Sequence, residues 1–594
     1  MRYTGRKISF FVSLLLLLFF LQGFLSLVQK SPTFDEPVHL TAGYLYWKMF
    51  KFDYNIIHPP LANMLNAIPL LFYKNLTPPP LQYKNEWKVA EEFLYKNRID
   101  AERIFNQSRI ITLIGGILLG WFIFRWSSEL FGPRGGIISL VLFSFSPNIL
   151  AHSRLITTDL MVTLFIFLTL YLLWKFINHP SLGSALRLGI SLGLALATKY
   201  SSLSLLLLFF LLIPLIGKNK KGEVLWSLIM VLIIAFFILS LTYGLSGLPN
   251  YFQGIKVLLN KSKQGTISFF HGKYSPGGWW FYFPFLFIVK TPLTLLFLFS
   301  LSFFLLTKEK KKDLFLPPIV IGVYLLIAIL SRIQIGARHI LPIYPFLFLT
   351  CGILGKRGFP IKLGKLALVL LLLHPLNAIL IYPHYLAYFN GILLPSRAYK
   401  WVADSNIDWG QDLKGLKKWM GKENVSSLYL SYFGTANPSY YGISYRYLPS
   451  STANLNRYRY NPIPEKREIL AISVSAYNGI LFQDVYFYKW LHSYKPFSSI
   501  GYSILLFDIT QDPYAHLNLG VNYYRTGLFR EAREEFEKVL EIDPKNPVAW
   551  FNLGMVYETL GDTEEARKYF EKALKLAPPS DRKRIEKHLN KIRK

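Results

Sequence analysis

The chain has 594 residues, of which 52% are apolar, 16% aromatic and only 17% charged, and its mean hydropathy is +0.30. Soluble domains carry roughly 25% charged residues, so a single large soluble enzyme is excluded, and near-average Gly and Pro exclude a disordered or collagen-like chain. A net charge of +31 would suit nucleic acid, but much of it lies between apolar runs; the lone Cys351 sits inside such a run and supports neither an internal disulfide nor a cysteine-metal framework.

About eleven runs are long and apolar enough to predict membrane spans, near 8–28, 108–125, 135–152, 158–176, 184–198, 201–217, 223–246, 281–306, 314–331, 339–355 and 365–382. The fifth is the weakest, being short and carrying Arg187 and Gly193. The first lacks a small-residue cleavage site and is followed by further runs, so it reads as a span and not a signal peptide. Arg2, Arg6 and Lys7 precede it. Arg134, then Lys218, Lys220 and Lys221, then Lys308, Lys310, Lys311 and Lys312, then Lys356, Arg357, Lys362 and Lys365 fall in alternate loops. Basic residues in short loops mark the cytoplasmic side of a plasma (inner) membrane. The amino terminus is then expected inside, and an odd number of spans puts the carboxyl-terminal region outside.

Three regions lie between or beyond the runs: 29–107, 248–280 and 383–594, all expected on the outer side. The first joins with the spans into a domain over 1–382. Within the tail, 428–433, 469–474 and 504–508 read as short strands, which predicts a small α/β module over 383–511. A period of 34 follows over 512–594. Leu519-Gly520 recurs as Leu553-Gly554, Tyr523 as Tyr557, Gly527 as Gly561, Ala532 as Ala566, Phe536 as Phe570 and Pro544 as Pro578. This is the tetratricopeptide pattern of paired helices, with 579–593 as an amphipathic, basic capping helix. Such repeats take a protein partner or acceptor, or serve only as a packing spacer. The predicted class is therefore mainly α: a polytopic helical membrane protein with a small outer α/β module and a helical repeat array.

The residue pattern next to the first run carries the chemistry. Asp35-Glu36 follows it closely, and acids near a membrane are either paired or functional. The alternative is a helix cap by Asp35 with Pro37 in the first turn, and the two are compatible. Apolar residues at helical spacing over 38–50 and 61–73 predict helices on the outer membrane surface, with Pro59-Pro60 starting the second beside His58. His58 itself is open between a ligand and a turn histidine bonded to carbonyls.

At Phe34-Asp35-Glu36, the surface helices and His58-Pro59-Pro60-Leu61 the sequence resembles the C-type membrane glycosyltransferases, in the branch of the protein O-mannosyltransferases and lipid A aminoarabinose transferases. The resemblance runs over about 1–420. It continues through His152-Ser153-Arg154-Leu155-Ile156-Thr157-Thr158-Asp159, Ala197-Thr198-Lys199-Tyr200 and Gly272-Lys273-Tyr274-Ser275-Pro276-Gly277-Gly278-Trp279-Trp280. Lys290-Thr291-Pro292, Arg338-His339-Ile340-Leu341-Pro342 and Asp404-Ser405-Asn406-Ile407-Asp408-Trp409-Gly410-Gln411-Asp412 complete it. It implies transfer of a hexosyl or pentosyl group from a polyprenyl-phosphate donor to a protein, lipid or glycan acceptor outside the membrane. Asp35 would be the general base and Glu36 its catalytic neighbour, orienting the acceptor or facing away. His58, Asp159, Lys199, Lys290, Arg338 and His339 would bind the donor phosphate or substrate. Each cation has a plain alternative as a residue snorkelling to the interface, and Asp159 one as a helix cap. No cofactor is required beyond the lipid-linked sugar and the membrane lipid that carries it, with a divalent metal as an option.

Residues 404–415 open with the spacing of a calcium loop, but Trp409 stands where Gly is needed and Gly415 where Glu is needed, so a polar turn is expected. Two other readings compete. A polysaccharide polymerase or O-antigen ligase would use a large late outer loop, whereas here the large loop is early. A non-catalytic scaffold would present only the repeats. A transporter fits poorly, since Lys290 is the only clear charge well inside a run.

Overall fold

The structure, a computed structural model, describes residues 2–212, 221–309, 311–356, 361–450, 467–480 and 482–592. Of the topology-marking residues, Lys218, Lys220, Lys310 and Arg357 lie outside these. The chain is mainly helical and divides into two compact units. The first is Met1–Gly415 with Gly434–Tyr440 and Gly501–Ser503; the second is Leu416–Phe433, Tyr441–Ile500 and Ile504–Lys594. The boundary thus falls near 415, not at 382. Lys290 shows why: its Nζ donates to the carbonyls of Leu386 (2.8 Å) and Asn406 (2.6 Å), drawing 383–415 into the first unit.

Among the described residues every apolar run is mainly helical, but not every run is one long helix. Arg6–Leu27, Ala101–Phe131, Thr158–Asn178, Ala337–Gly355 and Leu363–Ile381 are long and apolar enough to cross a membrane. Pro133–Ser144 with Pro147–Ser153 (bent by 65°) and Tyr282–Lys290 with Leu293–Leu306 (bent by 105°) raise the number to seven if each pair is one span. Proline accounts for both breaks: Pro147 opens the second helix of one pair and Pro292 caps that of the other. Leu182–Leu196, Tyr200–Leu211, Trp226–Thr242 and Leu316–Ile329 are shorter apolar helices. Among the described residues these four correspond to the expected runs near 184–198, 201–217, 223–246 and 314–331, and they are the difference between seven and the expected number of about eleven.

The helices expected over 38–50 and 61–73 are present as Glu36–Met49 and Leu61–Ala67, the latter running on as a 3-10 turn over Ile68–Phe72, but Glu36–Tyr46 is buried by its neighbours and is not an amphipathic surface helix. The two helices cross so closely that a Cβ on Gly43 would lie 2.0 Å from the Asn63 carbonyl oxygen, so only glycine fits there. Asn85 caps a further helix, Glu86–Tyr95, by accepting from the amides of Trp87 and Lys88. Residues 248–280 form a helix, Pro249–Gln264, and an antiparallel hairpin of β1 (Ser268–Phe270) and β2 (Lys273–Ser275).

The second unit contains a five-stranded sheet of β3 (Leu428–Ser431), β4 (Tyr445–Tyr447), β5 (Ile469–Ser473), β6 (Ser498–Ile500) and β7 (Ile504–Asp508), in the order β4-β3-β5-β7-β6. β3 is parallel to β4 and β5, while β7 is antiparallel to β5 and β6. Its central strands are almost wholly buried, matching their continuous apolar character. The repeats are the helix pairs Pro513–Arg525 with Phe529–Ile542 and Pro547–Leu560 with Thr563–Leu576, followed by Pro579–Ile592. At Gly554 a Cβ would lie 2.6 Å from the Phe570 ring, so the repeat glycine sets the spacing within the pair. Ile585 and Leu589 of the last helix pack against Phe551, Phe570 and Ala573, capping the array as expected.

Candidate active site

Asp35 and Glu36 are consecutive at the start of one helix, and the fold sends them in different directions. Glu36 is fully buried. Arg109 grips it with two bonds (Nε to Oε1 2.7 Å, Nη2 to Oε2 2.8 Å), and the amides of Thr33 (2.6 Å) and Ile156 (3.0 Å) also donate to it. Arg109 spends its remaining donors on the carbonyls of Leu27, Lys30 and Ser31. Burial alone would raise the Glu36 carboxyl, but Arg109 and the amides outweigh it and hold it below the usual range. Glu36 is therefore the peg that fixes the turn after the first span, and its filled oxygens correct the catalytic assignment made from sequence.

Asp35 keeps 24% of its side-chain surface exposed. Its Oδ2 accepts from Arg338 Nη1 at 2.9 Å, and its Oδ1 has no hydrogen-bond partner among the described residues. Arg338 lies with its Cζ 4.1 Å from the Trp409 ring centroid, a cation–π contact that sets the guanidinium's plane. Its Nε is buried and unpartnered among the described residues. The second acid, Asp159, is buried and accepts from Lys199 Nζ at 2.5 Å, within electrostatic reach of Arg338 and His152. Thr157, not Asp159, is the residue at the cap of that helix.

Histidines surround the two pairs. His39 and His58 lie with ring centroids 4.8 Å apart, and His39 Nδ1 bonds Asn63 Oδ1 at 2.9 Å. His58 and His339 are both in electrostatic reach of Lys199, Asp159 and Arg338. Among the described residues, His58 Nδ1, His152 Nδ1 and His339 Nε2 are buried with no hydrogen-bond partner. Burial pushes the His39 and His58 imidazoles below their ordinary range, so both are neutral near pH 7 and act as dipolar hydrogen-bonding groups.

Asp35, His58, Asp159, Lys199, Arg338 and His339 thus converge. Lys290 does not: it is 2% exposed, its two hydrogen bonds go to main-chain carbonyls, and its Nζ stands 4.2 Å from the Phe389 ring. That corrects its expected phosphate role; it anchors 383–415. Residues missed as site components are His39, Trp409 and Asp404. Asp404 is felt by Asp35 and Arg338, and burial lifts its carboxyl to about 6. Its turn, with the amides of Ile407 and Asp408 on the Asp404 carbonyl and Ser405 Oγ on Ile335 O (2.6 Å), is the polar turn expected over 404–415. No group of three or more His, Cys, Asp or Glu among the described residues is arranged to hold a metal ion.

The arrangement can hold an anion between two paired cations, with a reachable carboxylate beside it, at the ends of apolar helices. Residues 103–243, which include Asp159 and Lys199, match the family described as dolichyl-phosphate-mannose-protein mannosyltransferase, and residues 513–578 match the tetratricopeptide repeat. Residues 103–243 are thus similar to that family, and residues 513–578 to the repeat. No curated protein matches it. Among solved structures it is similar to ArnT from Cupriavidus metallidurans bound to undecaprenyl phosphate, at 13% identity and a TM-score of 0.46 over 84% of this chain and 98% of that one. The apo state of the same protein gives 12% identity and 0.47 over 86% and 98%. The S. cerevisiae Pmt1-Pmt2 complex bound to the sugar donor gives 19% identity and 0.27 over 44% and 38%.

Proposed function

We propose that the protein is a glycosyltransferase that moves a sugar from a polyprenyl-phosphate donor to a hydroxyl acceptor on the outer face of the membrane, with Asp35 as general base. The observation that carries this reading is the meeting of two acid–cation pairs, Asp35–Arg338 and Asp159–Lys199, in one cluster. The family match over 103–243 supports it independently. Basic residues in alternate loops support the outward orientation.

The chemistry follows from the geometry. Arg338 gives Nη1 to Asp35 and keeps Nε spare, so one guanidinium can hold the base and still receive a phosphate oxygen. Lys199 supplies a second positive charge, kept in place by Asp159. Asp35 Oδ1 takes the acceptor proton while the acceptor oxygen bonds to the anomeric carbon. The bond from that carbon to the phosphate oxygen breaks, and its electron pair leaves with the phosphate, where the two cations stabilise the charge. The neutral His58 offers a hydrogen bond to sugar hydroxyls without adding charge, and His339 Nε2 is a second unpartnered ring nitrogen beside it among the described residues.

Asp35→Asn keeps size and removes the base. It is expected to lose about 100-fold or more in turnover, typical for loss of a general base, with donor binding retained. The measurement is transfer from a radiolabelled polyprenyl-phosphate sugar by the purified full chain in detergent. Near-normal transfer by this variant would remove Asp35 from the mechanism.

A further inference from the structure

Beside the acid–cation cluster, the first outer region encloses a cleft of about 510 Å³, bordered by Lys51, Asp53, Tyr83, Lys84, Glu86 and Trp87. Ligand pockets typically measure about 300–1,000 Å³. Two observations link residues that line the cleft to the Asp35 segment. The Trp87 ring meets the Phe34 ring edge-on at 4.8 Å, and Phe34 immediately precedes Asp35. Glu86 lies within electrostatic reach of Asp35 itself. Phe34 is held on both sides, its amide donating to Trp409 O (2.7 Å) and its carbonyl accepting from Thr435 Oγ1 (2.7 Å), so the wall shared by cleft and carboxylate is rigid.

The chemistry of the lining selects among ligands. Two lysines face two acids, so the border carries no net charge and attracts neither an anion nor a cation on balance. Its polar side chains are poor company for an acyl chain, whose burial needs an apolar wall. Tyr83 and Trp87 line it with aromatic rings, the carboxylates of Asp53 and Glu86 are able to accept hydrogen bonds, and Asn85, whose Oδ1 caps the helix, keeps its Nδ2 as a donor. Flat rings for C–H faces, with carboxylates for adjacent hydroxyls, suit a neutral sugar. Glu86 has the position for such a role. Its backbone is tied down by Tyr54, whose hydroxyl donates to the Glu86 carbonyl at 2.7 Å. Its carboxylate makes no hydrogen bond or ion pair among the described residues, although it is half-buried. Burial and the Asp35 charge raise its carboxyl above the usual range, so its carboxylate gains by accepting a hydrogen bond from a hydroxyl.

Resting on the transferase reading, we infer that this cleft is the acceptor subsite, that the acceptor is a neutral carbohydrate hydroxyl, and that Glu86 is a positioning residue orienting that hydroxyl toward Asp35. The plain alternative is that Glu86 merely favours the start of its helix through the dipole.

The test uses the purified full chain, dolichyl-phosphate mannose as donor, and mannobiose or a threonine-containing pentapeptide as acceptor. Mannobiose should act as acceptor and show saturation-transfer NMR contact with the wild type. Glu86→Gln and Tyr83→Ala should each raise KM for mannobiose about tenfold, the loss of about one hydrogen bond or ring contact, with kcat moving less than KM and the donor KM as control. A helix-start role for Glu86 would leave the mannobiose KM where it was, and that result overturns the inference. So does transfer to the pentapeptide with none to mannobiose, which would make the acceptor a peptide. A wild type that releases mannose from the donor neither to an acceptor nor to water would defeat the transferase reading itself, and this inference with it.

Discussion

Both units bury charges, and they use them in opposite ways. In the first, the Asp35–Arg338 and Asp159–Lys199 pairs keep spare capacity: an unpartnered guanidinium nitrogen, an open carboxylate oxygen and three unpartnered imidazole nitrogens among the described residues. In the second, the charges close on one another. Arg446 reaches Glu534 (2.9 Å) and Glu535 (3.2 Å), His516 lies between Glu535 (2.8 Å) and Glu468 (3.3 Å), and Lys538 pairs with Glu468. These residues come from β4, the lead into β5 and the first helix pair of the repeats, so the network clasps the sheet to the array. Arg446 Nε, His516 Nε2 and Glu535 Oε1 have no hydrogen-bond partner among the described residues either, so what separates the two sets is access: Asp35 of the first keeps 24% of its side-chain surface exposed, as a place for a ligand requires, whereas Arg446, His516 and Glu535 of the second are buried against opposite charges, as in a joint. The same contrast recurs within one turn of helix, between Asp35 and Glu36.

The sharpest way to break this comparison is to cut the chain after Asp512. The strand sequences 416–500 would then keep Arg446 and Glu468 buried but without His516, Glu534, Glu535 and Lys538. Losing one partner of a buried pair costs about 3–5 kcal/mol, and two such losses exceed what a small sheet can bear. Limited proteolysis should show β3 to β7 unprotected in the truncated protein. A protected sheet would mean that the clasp is dispensable and the repeats are a separable attachment.

Glu36→Gln comes next. It removes the charge that Arg109 neutralises, at a cost of about 3–5 kcal/mol, so the variant should be recovered poorly and melt early in detergent. Asp35→Asn should melt like the wild type while losing turnover. If the two variants exchange these behaviours, the division between peg and base is wrong.

The smallest effect is a pH dependence of the clasp. Burial alone would lower the His516 imidazole, but the Glu468 and Glu535 carboxylates on either side of it raise it to about 9. A raised imidazole stabilises the fold fully below its unfolded value of about 6.5, and the contribution fades as pH rises through about 9. The second unit should therefore lose roughly 3 kcal/mol between those values. Hydrogen exchange of the amides in Pro513–Ile542 should quicken over that window, beyond the intrinsic rate, and His516→Gln should abolish the dependence. A wild type with no such slope would mean that His516 is neutral in the fold.

Local signals were legible in the sequence because each depends on near neighbours in the chain. The 34-residue period placed the repeat glycines, prolines and capping helix, the apolar runs placed the helices, and short stretches of β-branched and aromatic residues near Gly and Asn placed β3, β5 and β7. The Asp-Glu pair, His58-Pro59-Pro60, Asp159, Lys199 and Arg338-His339 stood out by residue type and position. Direction and partnership depended on the tertiary structure. Successive helix residues point about 100° apart, so only the packing of Ala101–Phe131 against the turn could assign Glu36 to Arg109 and leave Asp35 to Arg338, 303 positions away in sequence. Whether a cation inside an apolar run binds a ligand or its own chain depends on which carbonyls approach it, and those of Leu386 and Asn406, about a hundred residues distant, claimed Lys290. Breaks at proline decided which apolar runs became continuous helices. Trp409 and Asp404 joined the site for the same reason, long-range packing against Arg338 and Asp35, whereas His39, one helical turn after Asp35, was within reach of the sequence by its i,i+4 spacing.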